Sequence, residues 1–186
     1  MFRPYCKNQE DPDLCEKRAK KAACKLYKGS FYIIATYIGW LILKDTEIYP
    51  SLFGGPESTG KTIWANTPWS SEVPFTFIYS MWHMGYHVEE LFDHLFIQDH
   101  STDFYDMLLH HIATLTLFGG MLVNNALRVG VVIAWVHDIA DVPIAFSQLL
   151  SQLRGSTVSA ITFVFAVATW FYTRLIVVPW LTWTTY

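Results

Sequence analysis

Ionisable side chains set inside long apolar runs constrain this chain more than any other feature. A histidine pair, His110-His111, opens one apolar run, and His137-Asp138-Ile139-Ala140-Asp141 sits in the middle of the next. At mid-bilayer such a group costs at least roughly 2.5–3.5 kcal/mol on insertion scales unless a partner or a wet cavity receives it. A fold that accepts the stretch from Asp103 to Asp141 must turn these groups inward and house them among helices.

Composition points to lipid as the main solvent of that housing. Charged residues make up 16% of the 186, against about 25% in an ordinary soluble domain. The length suits one domain. Charge is also unevenly placed: residues 1–28 carry eight of the 13 lysines and arginines and four of the 16 acids. By the positive-inside bias, this basic head stays on the side from which insertion occurs. It is too short, too mixed with acids and too poor in interleaved aromatics for a nucleic-acid site. It also lacks an apolar core, so no secretory leader is expected.

All three cysteines, Cys6, Cys15 and Cys24, lie in the head. They allow at most one intramolecular disulfide, and the first expectation is that the thiols are unpaired. Glu16 to Lys28 has the pattern of a basic amphipathic helix at a membrane surface, able to run directly into the first span.

The periodicity and punctuation predict an all-α, polytopic transmembrane bundle of about five helices. The expected spans are 28–47, 74–96, 104–123, 127–153 and 157–178, following the polar head of 1–28. Period-two alternation is absent, which removes a barrel. Tyr49 to Val73 reads as a loop, broken by Gly54-Gly55-Pro56, Gly60 and Pro68. Within it, Gly55, Gly60, Lys61 and Thr62 match the spacing of a phosphate loop. That motif works only between a strand and a helix N-terminus, and no βαβ pattern surrounds it. Trp64 and Trp69 instead suit the membrane interface.

The second span carries a polar stripe: His83, His87, Glu90 and His94 fall on one face at i, i+4, i+7 and i+11. Thr102 or Asp103 is placed to cap the third span. In the fourth, Pro143 removes its own donor and clashes with the carbonyl of Ile139, which predicts a kink beside the polar cluster.

His137 and Asp141 share a helical face at i, i+4, with Asp138 next to Asp141 at i, i+3. A carboxylate beside an imidazole favours its protonated form, so the two can serve as base and then acid. Acyl transfer needs that pair, together with a donor for the developing oxyanion. His110 and His111 point about 100° apart on their helix, so one at most faces such a centre directly. The same histidines could bind a metal, yet no di-iron pattern is visible and no metal is expected. Buried His–Asp pairs also join helices in membranes, which leaves the structural reading open. A transporter would be expected to show an inverted repeat, and none is evident.

Several separated strings, DFYDMLLHHIATLTL (Asp103–Leu117), NNALRVG (Asn124–Gly130), HDIAD (His137–Asp141) and FYTRLIVVP (Phe171–Pro179), resemble the Lag1 signature of the TLC membrane domain found in ceramide synthases. Phe75 to Asp93 is similar to the helix before that signature. The resemblance implies six helices around an acyl cavity and transfer of an acyl group from acyl-CoA to a sphingoid amine. It implies catalytic positions at His110, His111, Asp138 and Asp141, with His137 and Arg128 in support, and no cofactor beyond bound phospholipid or other lipid. The chain departs from the family at Val142-Pro143-Ile144, where an aromatic, a leucine and a glutamate are usual, and at Gln148, near a usual lysine.

Five spans are also one fewer than the family's six. The first reading is therefore a shortened TLC domain, a structural or lipid-binding subunit whose bundle is completed by other membrane-protein subunits and lipid. The second is a ceramide-synthase-like N-acyltransferase. The resemblance implies the endoplasmic reticulum; a subunit of this size also fits the mitochondrial inner membrane.

Overall fold

The local sequence explains most of the helix ends. In the computed structural model, which describes residues 12–69, 73–97, 104–153 and 157–183, helix α1 runs from Pro12 to Leu43 without a break. Proline is favoured in a first helical turn because its missing N–H is not needed there, and Asp13 meets the positive end of the helix dipole. Gly29 and Ser30 are absorbed into the helix, with the Ser30 hydroxyl donating to the Tyr27 carbonyl at 2.7 Å. The amphipathic segment and the first span are thus one rod. Thr46 caps its end by donating to the Leu43 carbonyl at 2.6 Å.

The loop that follows holds only short elements, a 3-10 turn at Ser51–Phe53 and helix α2 at Thr59–Trp64. Gly55 is required here: a Cβ at this position would lie 1.9 Å from the Tyr49 carbonyl oxygen. Gly60, Lys61 and Thr62 fall inside α2, and the described residues contain no strand, so the phosphate-loop spacing has none of the framework it needs.

Helix α3 spans Thr76–Phe96, α4 Phe104–Val123 and α5 Leu127–Leu153. α3 starts two residues after Pro74, behind Phe75 at φ 66°. The expected cap at Thr102 or Asp103 lies outside the described residues. The α4–α5 turn is a Schellman motif built on Asn125 at φ 49°. The Ala126 N–H donates to Met121 at 2.7 Å and the Asn125 N–H to Leu122 at 3.2 Å, which satisfies carbonyls the helix end would otherwise orphan. α5 continues through Pro143. Helix α6, Thr157–Phe171, passes into a π-helical turn at Tyr172–Val177 and then α7 at Val178–Trp183.

The contacts divide the chain into two compact units, Met1–Trp40 with Trp135–Trp180, and Leu41–Ala134 with Leu181–Tyr186. In the first, α1 and α5 approach through small residues: a Cβ on Gly29 would sit 3.3 Å from that of Ala145. The Trp135 indole N–H donates to the Thr36 carbonyl at 2.9 Å. Such close approach of small residues is how helices associate where lipid offers no hydrophobic drive. In the second unit α3 packs along α4, and the start of α5 meets the 44–69 loop.

Among the described residues, four helices are long and apolar enough to cross a membrane: Cys15–Leu43, Phe104–Val123, Leu127–Ser151 and Thr157–Trp183. α3, expected as a fifth span, has the length for it at 21 residues but is not among the four, because its polar stripe lowers its apolarity. Large apolar side chains along α6, including Ile161, Phe163, Val164 and Phe165, are exposed, as lipid-facing residues are. The all-α, membrane-spanning expectation therefore holds. Cys15 is disulfide-bonded and Cys24 is free. The disulfide corrects the expectation of unpaired thiols, while Cys6 lies outside the described residues.

Candidate functional site

In the second unit, the site begins with the stripe on α3. His83, Glu90 and His94 are buried at 1%, 4% and 5% exposure, with His87 half-buried between them. The 3.6-residue period sets all four on one face, and α4 covers that face. The His83 ring stacks on Phe118 at a centroid distance of 6.0 Å, and His87 lies 5.7 Å from the same ring. At the other end His94 stacks on Phe104 at 4.6 Å and stands 5.6 Å from His111.

His94 Nε2 lies 2.9 Å from the Phe104 carbonyl oxygen. A carbonyl can only accept, so Nε2 carries a proton and donates it. The bond ties the end of α3 to the start of α4 and fixes the ring beside His111. His111 is buried and its neighbour His110 is exposed, as the offset of about 100° between successive residues requires. Arg128, in the first turn of α5, donates to Glu47 at 3.2 Å and more weakly to the Thr62 carbonyl at 3.5 Å. Within its unit it holds the loop.

The first unit holds the carboxylates. Asp138 is buried at 4% exposure, and His137 and Asp141 are half-buried. Asp141 accepts from Arg174 Nη2 at 2.8 Å, and the Arg174 guanidinium lies 5.8 Å from the centre of the Trp170 ring. The Arg174 side chain belongs to the π-helical turn, a distortion often found at functional positions because it re-aims side chains. Beside it, Ile144, Ser147, Gln148, Phe163 and Trp170 help to line a slot of about 210 Å³ between α5 and α6. Its walls are mainly apolar, with Ser147 and Gln148 the polar members of the lining.

Sequence reasoning passed over Arg174 as a site residue, although the signal was present. It is the one basic residue in the apolar run 157–183, and an ionisable group there needs a partner by default. Among the described residues, no group of three histidine, cysteine or acidic side chains is arranged to hold a metal ion.

A polytopic, all-helical chain with four helices of membrane-spanning length and apolarity among its described residues is an integral membrane protein. Residues 21–186 match the TLC domain family model, and the chain belongs to that family. It is 28% identical to ceramide synthase hyl-2 of Caenorhabditis elegans over 88% of this chain and 47% of that protein. It is 28% identical to ceramide synthase LOH1 of Arabidopsis thaliana over 96% of this chain and 57% of that one. Human ceramide synthase 3 is 29% identical, over 93% and 42% respectively. The chain thus spans about half the length of the curated relatives it matches.

Proposed function

We propose that this chain is the membrane core of a ceramide-synthase-type N-acyltransferase, which moves an acyl group from acyl-CoA to the amine of a sphingoid base. The observation that carries the reading is the extent of the likeness: ceramide synthases align over 88–96% of the chain. The subunit reading weighed beside it rested on helix count. Because the alignments cover only 42–57% of each relative, that count carries no weight, and the transferase is the better supported of the two.

In this reaction the amine nitrogen attacks the thioester carbonyl, the new C–N bond forms, and the C–S bond breaks. The amine proton passes through a base to the departing thiolate, and the products are an amide and free CoA thiol. The proposed base is the His110-His111 pair, with buried His111 the member held in a defined setting by His94. Asp138 and Asp141 are the proposed catalytic carboxylates, and His137 and Arg128 are supporting residues. The slot between α5 and α6 is suited to apolar chain rather than to a charged group. Membrane lipids and further membrane helices are the proposed surroundings, and the endoplasmic reticulum the proposed membrane, on the family resemblance.

Reconstituted full chain supplied with acyl-CoA and a sphingoid base tests the reading by mass-spectrometric detection of the amide. Amide formation is expected, with a loss of roughly 10²-fold or more in H111A and in D138N. No amide from any acyl-CoA donor, or turnover indifferent to both substitutions, would remove the assignment.

A further inference from the structure

The second unit contains a cavity that shares only Arg128 with the residues of the acyl-transfer reading. It has a volume of about 680 Å³, and its lining includes Glu47, Lys61, Thr62, Asn66, Trp69 and Arg128. That size lies within the ordinary range for a small-molecule or cofactor site, about 300–1,000 Å³. Its level in the fold follows from the helix ends: α1 stops at Leu43, α4 stops at Val123 and α5 begins at Leu127. Three membrane-length helices end here, so the cavity opens where hydrocarbon gives way to water. Trp69, 89% exposed, and Trp64, 39% exposed, present their indoles at the same level, which is where tryptophans settle among lipid headgroups.

The charges select the ligand. Arg128 sits in the first turn of α5, the end of a helix where a cation is disfavoured by the dipole and an anion is favoured. Its side chain is only 13% exposed, and Glu47 supplies one negative charge at 3.2 Å. Lys61, exposed on α2, adds a second cation, which leaves the lining with one net positive charge. A phosphodiester carries a single negative charge and cancels it. A zwitterionic headgroup would bring its own ammonium and leave the excess in place. A guanidinium has five donors in a fork matched to carboxylate and phosphate oxygens, enough to serve Glu47 and a phosphate together. The Asn66 amide, the Thr62 hydroxyl oxygen and the Glu47 carboxylate are then available for the hydroxyls of an uncharged polyol.

We propose that this cavity binds the headgroup of an anionic phospholipid with a glycerol- or inositol-type polyol, its phosphate held by Lys61 and Arg128. Lipid rather than a soluble phosphate is the source because the site stands at the membrane interface, where headgroups are the abundant phosphodiesters.

The test is native mass spectrometry of the full chain released from phosphatidylcholine vesicles that contain a minor fraction of phosphatidylglycerol or phosphatidylinositol. The chain should retain one anionic lipid in preference to phosphatidylcholine. K61Q, on an exposed helix face where folding is not at stake, should weaken retention about tenfold, as loss of one charge-assisted contact does. K61R should restore it. E47Q removes the competing carboxylate and should tighten retention of the anionic lipid. Equal retention of neutral and anionic lipid, or a K61Q chain indistinguishable from the unaltered one, would overturn the proposal. So would displacement of the lipid by millimolar inorganic phosphate, which would assign the cavity to a soluble anion.

Discussion

Replacing Arg174 with methionine tests whether the pair it forms with Asp141 holds α5 to the C-terminal helix. The two groups meet at 2.8 Å, and their side chains are 22% and 23% exposed. Removing one partner of a fully buried pair costs about 3–5 kcal/mol, because the other charge is left uncompensated. Here each side chain keeps some access to its surroundings, and methionine retains much of the arginine stem's packing, so the expected loss is about 2–3 kcal/mol. That figure includes the contact between the guanidinium and Trp170 at 5.8 Å, a minor part of it at about 0.5–1 kcal/mol. For a chain of this size the loss corresponds to a fall in Tm of about 4–12 °C.

The assay is a double-mutant cycle of R174M, D141N and the double variant, unfolded in detergent. If the pair is real, the double variant should be less destabilised than the sum of the singles, by about 1–2 kcal/mol. Additive losses within about 0.3 kcal/mol would show that the two residues do not act on each other, and the account of the α5 carboxylates would have to be abandoned. The cycle reads stability alone and is independent of any activity.

Two further substitutions probe the second unit. G55A should destabilise the 44–69 loop by about 2–3 kcal/mol, since the added Cβ meets the rigid backbone at Tyr49 rather than a side chain that can swing aside; limited proteolysis at that loop should accelerate, and an unchanged cleavage rate would refute the contact. H94F keeps the stack on Phe104 and drops the hydrogen bond to its carbonyl, for a loss of about 1 kcal/mol. H94A drops both and should lose about 2–3 kcal/mol, so equal thermal shifts for the two variants would show that the stack contributes nothing.

Much of the fold was legible because helices are local. The 3.6-residue period places His83, His87, Glu90 and His94 on one face, and the structure buries His83, Glu90 and His94. The same period separated His110 from His111. Local signals also bear on how single helices run and how apolar they are. Length and aromatic content give α3 the look of a span, and its polar stripe sets it apart from the four more apolar helices. The basic amphipathic segment reads as able to run into the first span, and one helix of 32 residues passes through Gly29 and Ser30.

Long-range pairing was a different matter. Nothing in the sequence says that Asp141 takes Arg174, 33 residues away, or that Arg128 takes Glu47, 81 residues away. It is equally silent on why Gly55 must lack a side chain, since the obstacle is the Tyr49 carbonyl folded back across a turn. Periodicity fixes which residues share a side of one helix. It does not fix which side a second helix will cover, and a charge inside a span states its need for a partner without naming one. That choice belongs to packing: once α4 lies along the polar stripe of α3 and the π-helical turn of 172–177 carries Arg174 to α5, the partners follow from distance.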